Sequence, residues 1–288
     1  MNHFKLFIEL IRLKKPIGFM LLFWPCAWGL TLAYDFSLGL NNYLFYLTLF
    51  FLGSVLMRSA GCIVNDILDK EFDAKVFRTR NRPIASGKIS VKVAIFYSLV
   101  LCFLALLILL NFNIFTIILA LGSMPLAFTY PLMKRFTYWP QLFLGITFNY
   151  GLILGWTAIK GQLDLAPIIF YLGAIFWTLG YDTIYGYQDI RDDEIIGLKS
   201  TSIKFKGKAK KFLFISYIIL SILLISGGYI MKFKLIYYFL LIIPLSHLFL
   251  YQLKIFKLNN PNSCLKAFKS NNVFGLIIFL QILIVKII

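Results

Sequence analysis

Histidine is almost missing from this chain. His3 and His247 are the only two, and they stand alone. Zinc sites are built from His and Cys at short spacings, so their scarcity argues against a His-based zinc centre. The four cysteines, Cys26, Cys62, Cys102 and Cys264, are scattered and make no Cys-x-x-Cys pair. They read as packing residues in a reducing or lipid environment, not as a redox motif or disulfide framework. Acid is scarce too: twelve Asp and Glu stand against 29 Lys and Arg, for a formal net charge of +17. No stretch reads as a soluble domain.

What is present is apolar. Hydrophobic residues make up 60% of the chain and aromatics 18%, and the mean hydropathy is +0.83. Such values lie far outside soluble norms. Nine runs are long enough to cross a bilayer as helices, at about 17–34, 43–64, 93–110, 113–130, 139–158, 166–182, 212–231, 234–251 and 272–288. A spanning segment must satisfy its own backbone, so the expected fold is all-α: one polytopic membrane domain over 1–288. Residues 3–15 alternate apolar and basic residues and suit an amphipathic interfacial helix. The first spanning run lacks a small-x-small cleavage site, so it reads as a membrane helix and not as a signal peptide.

The basic residues orient these helices. Twenty-four of the 29 fall at the N-terminus or in the loops after helices 2, 4, 6 and 8; only Lys160, Lys232, Lys234 and Lys286 fall on the other side. The positive-inside rule puts the N-terminus in the cytoplasm and the C-terminus outside. Topology thus explains the charge without nucleic acid. The run Lys204, Lys206, Lys208, Lys210, Lys211 suits anionic lipid headgroups.

Nine of the twelve acids fall in two short segments, both on the cytoplasmic side. The first holds Asp66, Asp69, Glu71 and Asp73; the second holds Asp182, Asp189, Asp192, Asp193 and Glu194. An ionised group at the end of an apolar helix is costly unless it meets water, protein or a cation. Asn65, Asp69 and Asp73 are four apart, so they share a helical face if the second membrane helix continues. Asp182, Tyr185, Asp189 and Asp193 share a face in the same way. Mg2+ takes one or two carboxylates and completes its octahedron with water and phosphate oxygens. Two carboxylate clusters with no His or Cys nearby point to a hard cation, and to two metal ions, one from each half. The bland alternative, a solvated helix end, accounts poorly for two matched clusters holding most of the acid.

Basic groups trail each cluster: Arg78, Arg80 and Arg82 after the first, Lys134 and Arg135 after helix 4, and Lys199 after the second. Together with metal they could clamp the charge on a phosphate leaving group. Arg58 is separate. It lies seven residues before Asn65, about 10 Å deeper along the helix. An Arg there must face the bundle interior and find an anion, either a ligand or a cluster aspartate.

Several stretches resemble the UbiA-type intramembrane aromatic prenyltransferases. They are Lys15-Pro-Ile-Gly18 with Trp24-Pro25, Arg58 through Asp73, and Arg78-Thr79-x-x-Arg82-Pro83. Tyr130-Pro131-x-x-Lys134-Arg135, Trp139-Pro140-Gln141, Gly180 through Asp193 and Lys199-Ser-Thr201 follow. The likeness runs from about residue 10 to 205; the last three helices match only in hydrophobicity. The Trp-Pro-Gln and Gly-Tyr-Asp-Thr stretches resemble the hydroxybenzoate branch. One departure is Gly186, where that branch leads one to expect Ala, at little expected cost.

The resemblance implies nine helices around a central cavity in a bacterial inner (cytoplasmic) membrane, with the site on the cytoplasmic side. It implies that Asp69, Asp73, Asp189 and Asp193 bind Mg2+ and, through it, a polyprenyl diphosphate, supported by Asn65, Asp66, Asp182 and Tyr185. Arg78, Arg82, Lys134, Arg135 and Lys199 would hold the diphosphate. Arg12 and Arg58 would face the carboxylate of 4-hydroxybenzoate. The expected reaction is prenyl transfer to the ring carbon ortho to the hydroxyl; naphthoate, homogentisate and haem are the alternative acceptors within the family. No obligate protein partner is evident. A transporter is disfavoured, because its site would lie near the midplane. A CDP-alcohol phosphatidyltransferase is disfavoured because no Ala-Arg follows the first aspartates.

Overall fold

The computed structural model describes residues 3–288, and every regular element among them is helical. In chain order they are α1 (His3–Leu10), α2 (Ile17–Ala33), α3 (Leu40–Leu68), α4 (Lys70–Asp73), α5 (Val91–Leu109), α6 (Ile114–Thr129), α7 (Met133–Phe136) and α8 (Pro140–Lys160). Then come α9 (Leu165–Gly186), α10 (Ile190–Ile196), α11 (Thr201–Lys204), α12 (Ala209–Ile230) and α13 (Leu235–Ser246). After a π-helical turn over His247–Gln252 come α14 (Leu253–Ile255), α15 (Pro261–Lys269) and α16 (Asn271–Ile287). Eight helical segments are long and apolar enough to cross a membrane, and Ile17–Ala33 is a shorter apolar helix of 17 residues. These nine correspond to the nine runs in the sequence.

Local chemistry sets several ends. Ser90 and Asn113 cap α5 and α6 by accepting from the amides of Val93 and Thr116. α8 opens on Pro140, which has no N–H to leave unsatisfied, and closes on Gly161 at φ +66°. α1 is shorter than the 3–15 segment. It buries Leu6 and Leu10 against Ala60 and Ile63 of α3 and Ala94 and Leu101 of α5. It ends with Arg12 at φ +54°, Arg12 N bonding Glu9 O and Leu13 N bonding Ile8 O. That is a Schellman closure with Arg where Gly is usual, a strain on the order of 1 kcal/mol.

The centre of the bundle is the crossing of α2 and α8. A Cβ on Gly29 would strike the Leu152 carbonyl, and one on Gly155 would strike the Cys26 carbonyl and the Leu30 amide. Gly151-x-x-x-Gly155 is therefore the close-packing contact its spacing suggests. α16 lies against α2, with Gly275 making room for Trp24. Trp24 and Trp177 donate their indole N–H groups to Asn272 and Asn271, and Trp28 donates to the Gly275 carbonyl. Buried indoles need such partners. The periphery is apolar, with Phe96, Leu99 and Phe103 of α5 and Phe239 and Ile242 of α13 exposed. In lipid that surface is solvated.

Both acidic segments break their helices, contrary to the expectation that α3 continues. α3 stops at Leu68, Asp69 turns the chain at φ −98°, ψ 6°, and one turn of α4 follows. α9 stops at Gly186, Asp189 turns at φ −120°, ψ 13°, and α10 follows. In each case the next aspartate bonds back across the break: Asp73 N to Asp69 O at 2.8 Å and Asp193 N to Asp189 O at 2.9 Å.

Candidate active site

One cavity of about 920 Å³ opens at the end of the bundle where both acidic segments lie. That is the size of a pocket for a substantial small molecule. Asn65, Asp66, Asp69, Asp73, Asp182, Tyr185, Asp189 and Asp193 all line it, as do Arg12, Arg58, Arg78, Arg82, Lys134 and Lys199. The structure thus brings together residues up to 187 positions apart in the chain, from Arg12 to Lys199. Arg135 stands just behind the wall. Its Nη2 donates to the Leu68 carbonyl at 2.6 Å and lies 3.8 Å from Asp69 Oδ1.

Around the first segment, each of the three aspartates meets a cation. Asp66, 2% exposed, pairs with Arg12 and, at 3.2 Å, with Arg82. Arg82 also donates to Asp73 Oδ2 at 2.7 Å. Lys134 Nζ lies 2.5 Å from Asp69 Oδ2. The other oxygen, Asp69 Oδ1, is buried and has no hydrogen-bond donor. That oxygen lies toward Arg135 behind the wall, and the Asp69 carboxylate at the cavity wall is an oxygen donor of the kind Mg2+ takes.

The second segment is more open. Arg78 donates to the Tyr185 hydroxyl at 3.1 Å and to the Asp189 carboxylate. Burial raises the Asp189 carboxyl above the usual carboxylate range, and Arg78 opposes that shift. Burial, and then the charge of Asp189, push Asp193 up to about 6. Lys134 and Arg78 oppose that shift without pairing directly; neither Asp193 nor Asp182 makes an ion pair among the described residues. Lys199 is anchored by its backbone N–H on the Lys134 carbonyl at 2.8 Å, and its ammonium donates to the Phe136 carbonyl. No three acidic, His or Cys side chains among the described residues converge into a ready metal cage. That fits Mg2+, which needs only one or two carboxylates when phosphate oxygens fill its shell.

At the deep end the picture changes. Arg58 has no carboxylate within ion-pair distance among the described residues, and its buried Nε has no acceptor. Its guanidinium lies over the Phe148 ring, 5.3 Å from the centroid, and beside Gly18. Of the cluster aspartates the sequence leaves open as partners for Arg58, Asp66, Asp69, Asp73 and Asp189 are taken by other cations, and Asp182 and Asp193 lie outside ion-pair distance of it among the described residues. Arg12, by contrast, is already paired with Asp66.

The sequence reading passed over part of the wall. Phe268, Lys269 and Asn272, at the bend where α15 runs into α16, line the cavity, and Phe268 packs on Tyr185 at 4.5 Å between ring centroids. Gln141 and Tyr130 line it as well. Both stand inside motifs visible in the sequence, where a polar side chain on a cavity-facing helix was the available signal.

The sequence pattern of the UbiA prenyltransferase family matches residues 22–279. The chain is 44% identical over 281 residues to the mitochondrial 4-hydroxybenzoate polyprenyltransferase of Drosophila pseudoobscura pseudoobscura, covering 97% of this chain and 70% of that one. It is 43% identical to the human protein of the same name, covering 96% and 74%. Among solved structures, a UbiA homologue from Archaeoglobus fulgidus bound to GPP and Mg2+ superposes with a TM-score of 0.74 at 19% identity, covering 98% of this chain and all of that one. The apo form of a homologue from Aeropyrum pernix K1 superposes with a TM-score of 0.72 at 23% identity, covering 92% and 97%. These two likenesses carry the fold. With the family pattern spanning most of its length and relatives above 40% identity, the chain belongs to the UbiA prenyltransferase family.

Proposed function

We propose that this membrane protein transfers a polyprenyl group from an allylic polyprenyl diphosphate to the ring carbon ortho to the hydroxyl of 4-hydroxybenzoate, in ubiquinone biosynthesis. The name shared by its relatives supports this reading. The observation that carries it is the polarity of the cavity. Carboxylates and cations crowd one end; toward the other, Arg58 is buried with no carboxylate within ion-pair distance among the described residues, and Asp182 stands nearby without an ion pair of its own. A diphosphate with metal suits the first; a lone carboxylate suits the second.

In this reading Asp69, Asp73, Asp189 and Asp193 hold Mg2+, which neutralises the charge of the departing diphosphate. Arg78, Arg82, Lys134, Arg135 and Lys199 exchange their present acceptors for phosphate oxygens. Asn65, Asp66, Asp182 and Tyr185 support them. Asp66 fixes Arg12 and Arg82, and Tyr185 fixes Arg78. Arg58 binds the acceptor carboxylate; Arg12 adds positive charge nearby. The allylic C1–O bond breaks, the ortho carbon bonds to C1, and the ring proton leaves to Asp182, the unpaired carboxylate of α9. Water is excluded by the apolar wall, which preserves the cationic carbon for the ring.

The whole chain 1–288 acts as one domain in this reading. Its setting in this reading is a bacterial inner membrane, on the strength of the family resemblance alone, with the site on the cytoplasmic side from the basic-loop bias; the named relatives are mitochondrial. The test uses membranes containing the protein, a long-chain polyprenyl diphosphate and labelled 4-hydroxybenzoate, with Mg2+ or EDTA. Mg2+-dependent entry of label into lipid is the expected outcome. No transfer by folded protein would overturn the acceptor, and other aromatic acids and haem would be tried.

A further inference from the structure

Gln141 is nearly buried at the start of α8, yet it lines the cavity. Its Oε1 accepts from the backbone N–H of Thr201 at 2.9 Å. That bond fixes which end of the amide is which, because a backbone N–H must meet the oxygen. The surrounding junction is rigid. Thr201 Oγ1 bonds Thr183 Oγ1 at 2.6 Å, Ser202 Oγ donates to the Thr183 carbonyl, and Lys199 N bonds Lys134 O. The Nε2 end has no acceptor among the described residues and is not sealed from the cavity. A held amide thus offers two free N–H bonds to whatever fills the space.

The depth of this donor suggests its ligand. Gln141, Leu144 and Phe148 share the cavity-facing side of α8. Phe148 lies under Arg58. Seven residues of helix separate Gln141 from Phe148, about 10 Å of rise. A 4-hydroxybenzoate with its carboxylate on Arg58 spans a similar length, roughly 6 Å between its polar ends plus a hydrogen bond of about 3 Å at each. We infer that Gln141 Nε2 donates to the phenolic oxygen of the acceptor and selects acids that carry an oxygen there. This rests on the proposed role of Arg58. A neutral donor does not raise the nucleophilicity of the ring. Its contribution is orientation: with both ends fixed, the ring can present an ortho carbon to the allylic C1 lying just below the metal-binding aspartates. A site built to pair with a hydroxyl also rejects the analogue lacking it.

The test is equilibrium binding of 4-hydroxybenzoate and of benzoate to the full chain in nanodiscs, without diphosphate, so that no turnover occurs. The wild type is expected to prefer 4-hydroxybenzoate by about tenfold. Gln141→Met is expected to abolish that preference while leaving benzoate affinity unchanged. Gln141→Glu keeps an acceptor for Thr201 N–H and loses the donor. Its added charge weakens both acids, and its preference should also vanish, which keeps the test valid if the Met variant misfolds. Equal weakening of both acids with the preference intact would overturn the inference and leave Gln141 a structural clamp. The Arg58 reading fails separately, if Arg58→Met binds benzoate as well as wild type does.

Discussion

Arg78 and Asp189 form an ion pair that joins the loop after α4 to the end of α9, and the same guanidinium donates to Tyr185. The pair is partly open to solvent, with the Arg78 side chain 40% exposed. Exposed pairs add little stability, so Arg78→Met is expected to change it by less than about 1 kcal/mol. Its effect should appear instead as a KM for the allylic diphosphate raised about tenfold or more, since a charge-assisted contact is lost. The freed loop should also be cut faster by trypsin after Arg80; Arg82 is shielded by the proline that follows it. Unchanged KM in a folded variant would remove Arg78 from the diphosphate site.

Asp69 and Asp189 hold equivalent places, each at the hinge between a long helix and a short one. Asp69→Asn and Asp189→Asn keep the size of the side chain and remove its charge. Each is expected to lower turnover by at least ~100-fold, the scale on which one preorganised charge contact at a leaving group acts. Both variants should remain folded by thermal melting in detergent. Near-normal turnover in either would remove that residue from the metal site.

Why those hinges were not legible in the sequence has a physical answer. The spacing of four between aspartates survives the break, because Asp73 and Asp193 still bond back to Asp69 and Asp189. Periodicity therefore reads straight through a bend. The nine apolar runs and the two acidic segments were legible because each rests on residue type alone. The bend between α15 and α16 was not: α16 is apolar almost all round, so nothing in its pattern says that Asn272 and, just before it, Lys269 face the cavity. Arg12 was legible as a cation near the site, but its left-handed backbone and its pairing with Asp66 were not.

Arg58 carries the opposite energetic signature from Asp66. It is buried with no carboxylate within ion-pair distance among the described residues, so the desolvation of its charge is offset only by more distant groups such as Asp182. Arg58→Met fills similar space and removes that burden. The variant is expected to melt no lower than wild type, while its KM for 4-hydroxybenzoate rises about 10- to 100-fold, the loss of one charged hydrogen-bonding partner. The KM for the diphosphate should not move. A large fall in melting temperature with both KM values intact would make Arg58 structural.

Gly186 departs from the alanine expected there, and the structure gives the reason. A Cβ at this position would run into Ser202 Oγ, which is held by its hydrogen bond to the Thr183 carbonyl at 2.8 Å. The departure is therefore not neutral: glycine at 186 and serine at 202 fit as a pair. Gly186→Ala alone is expected to destabilise by about 1–3 kcal/mol, the usual range for overpacking. Ser202→Ala alone should cost about 1 kcal/mol for the lost hydrogen bond. With Ser202→Ala in place, the nearest contact for an added Cβ is the Cβ of residue 202 at 3.3 Å, tight but free of the hydroxyl clash. The double variant should then be more stable than the two single effects predict, by roughly 1 kcal/mol. Thermal or denaturant unfolding of all four proteins measures that coupling. Additive effects, within about 0.5 kcal/mol, would show that the two positions do not sense each other. Because the same junction holds Thr201 against Gln141, the single Gly186→Ala change should also weaken acceptor binding, and the second substitution should restore part of it.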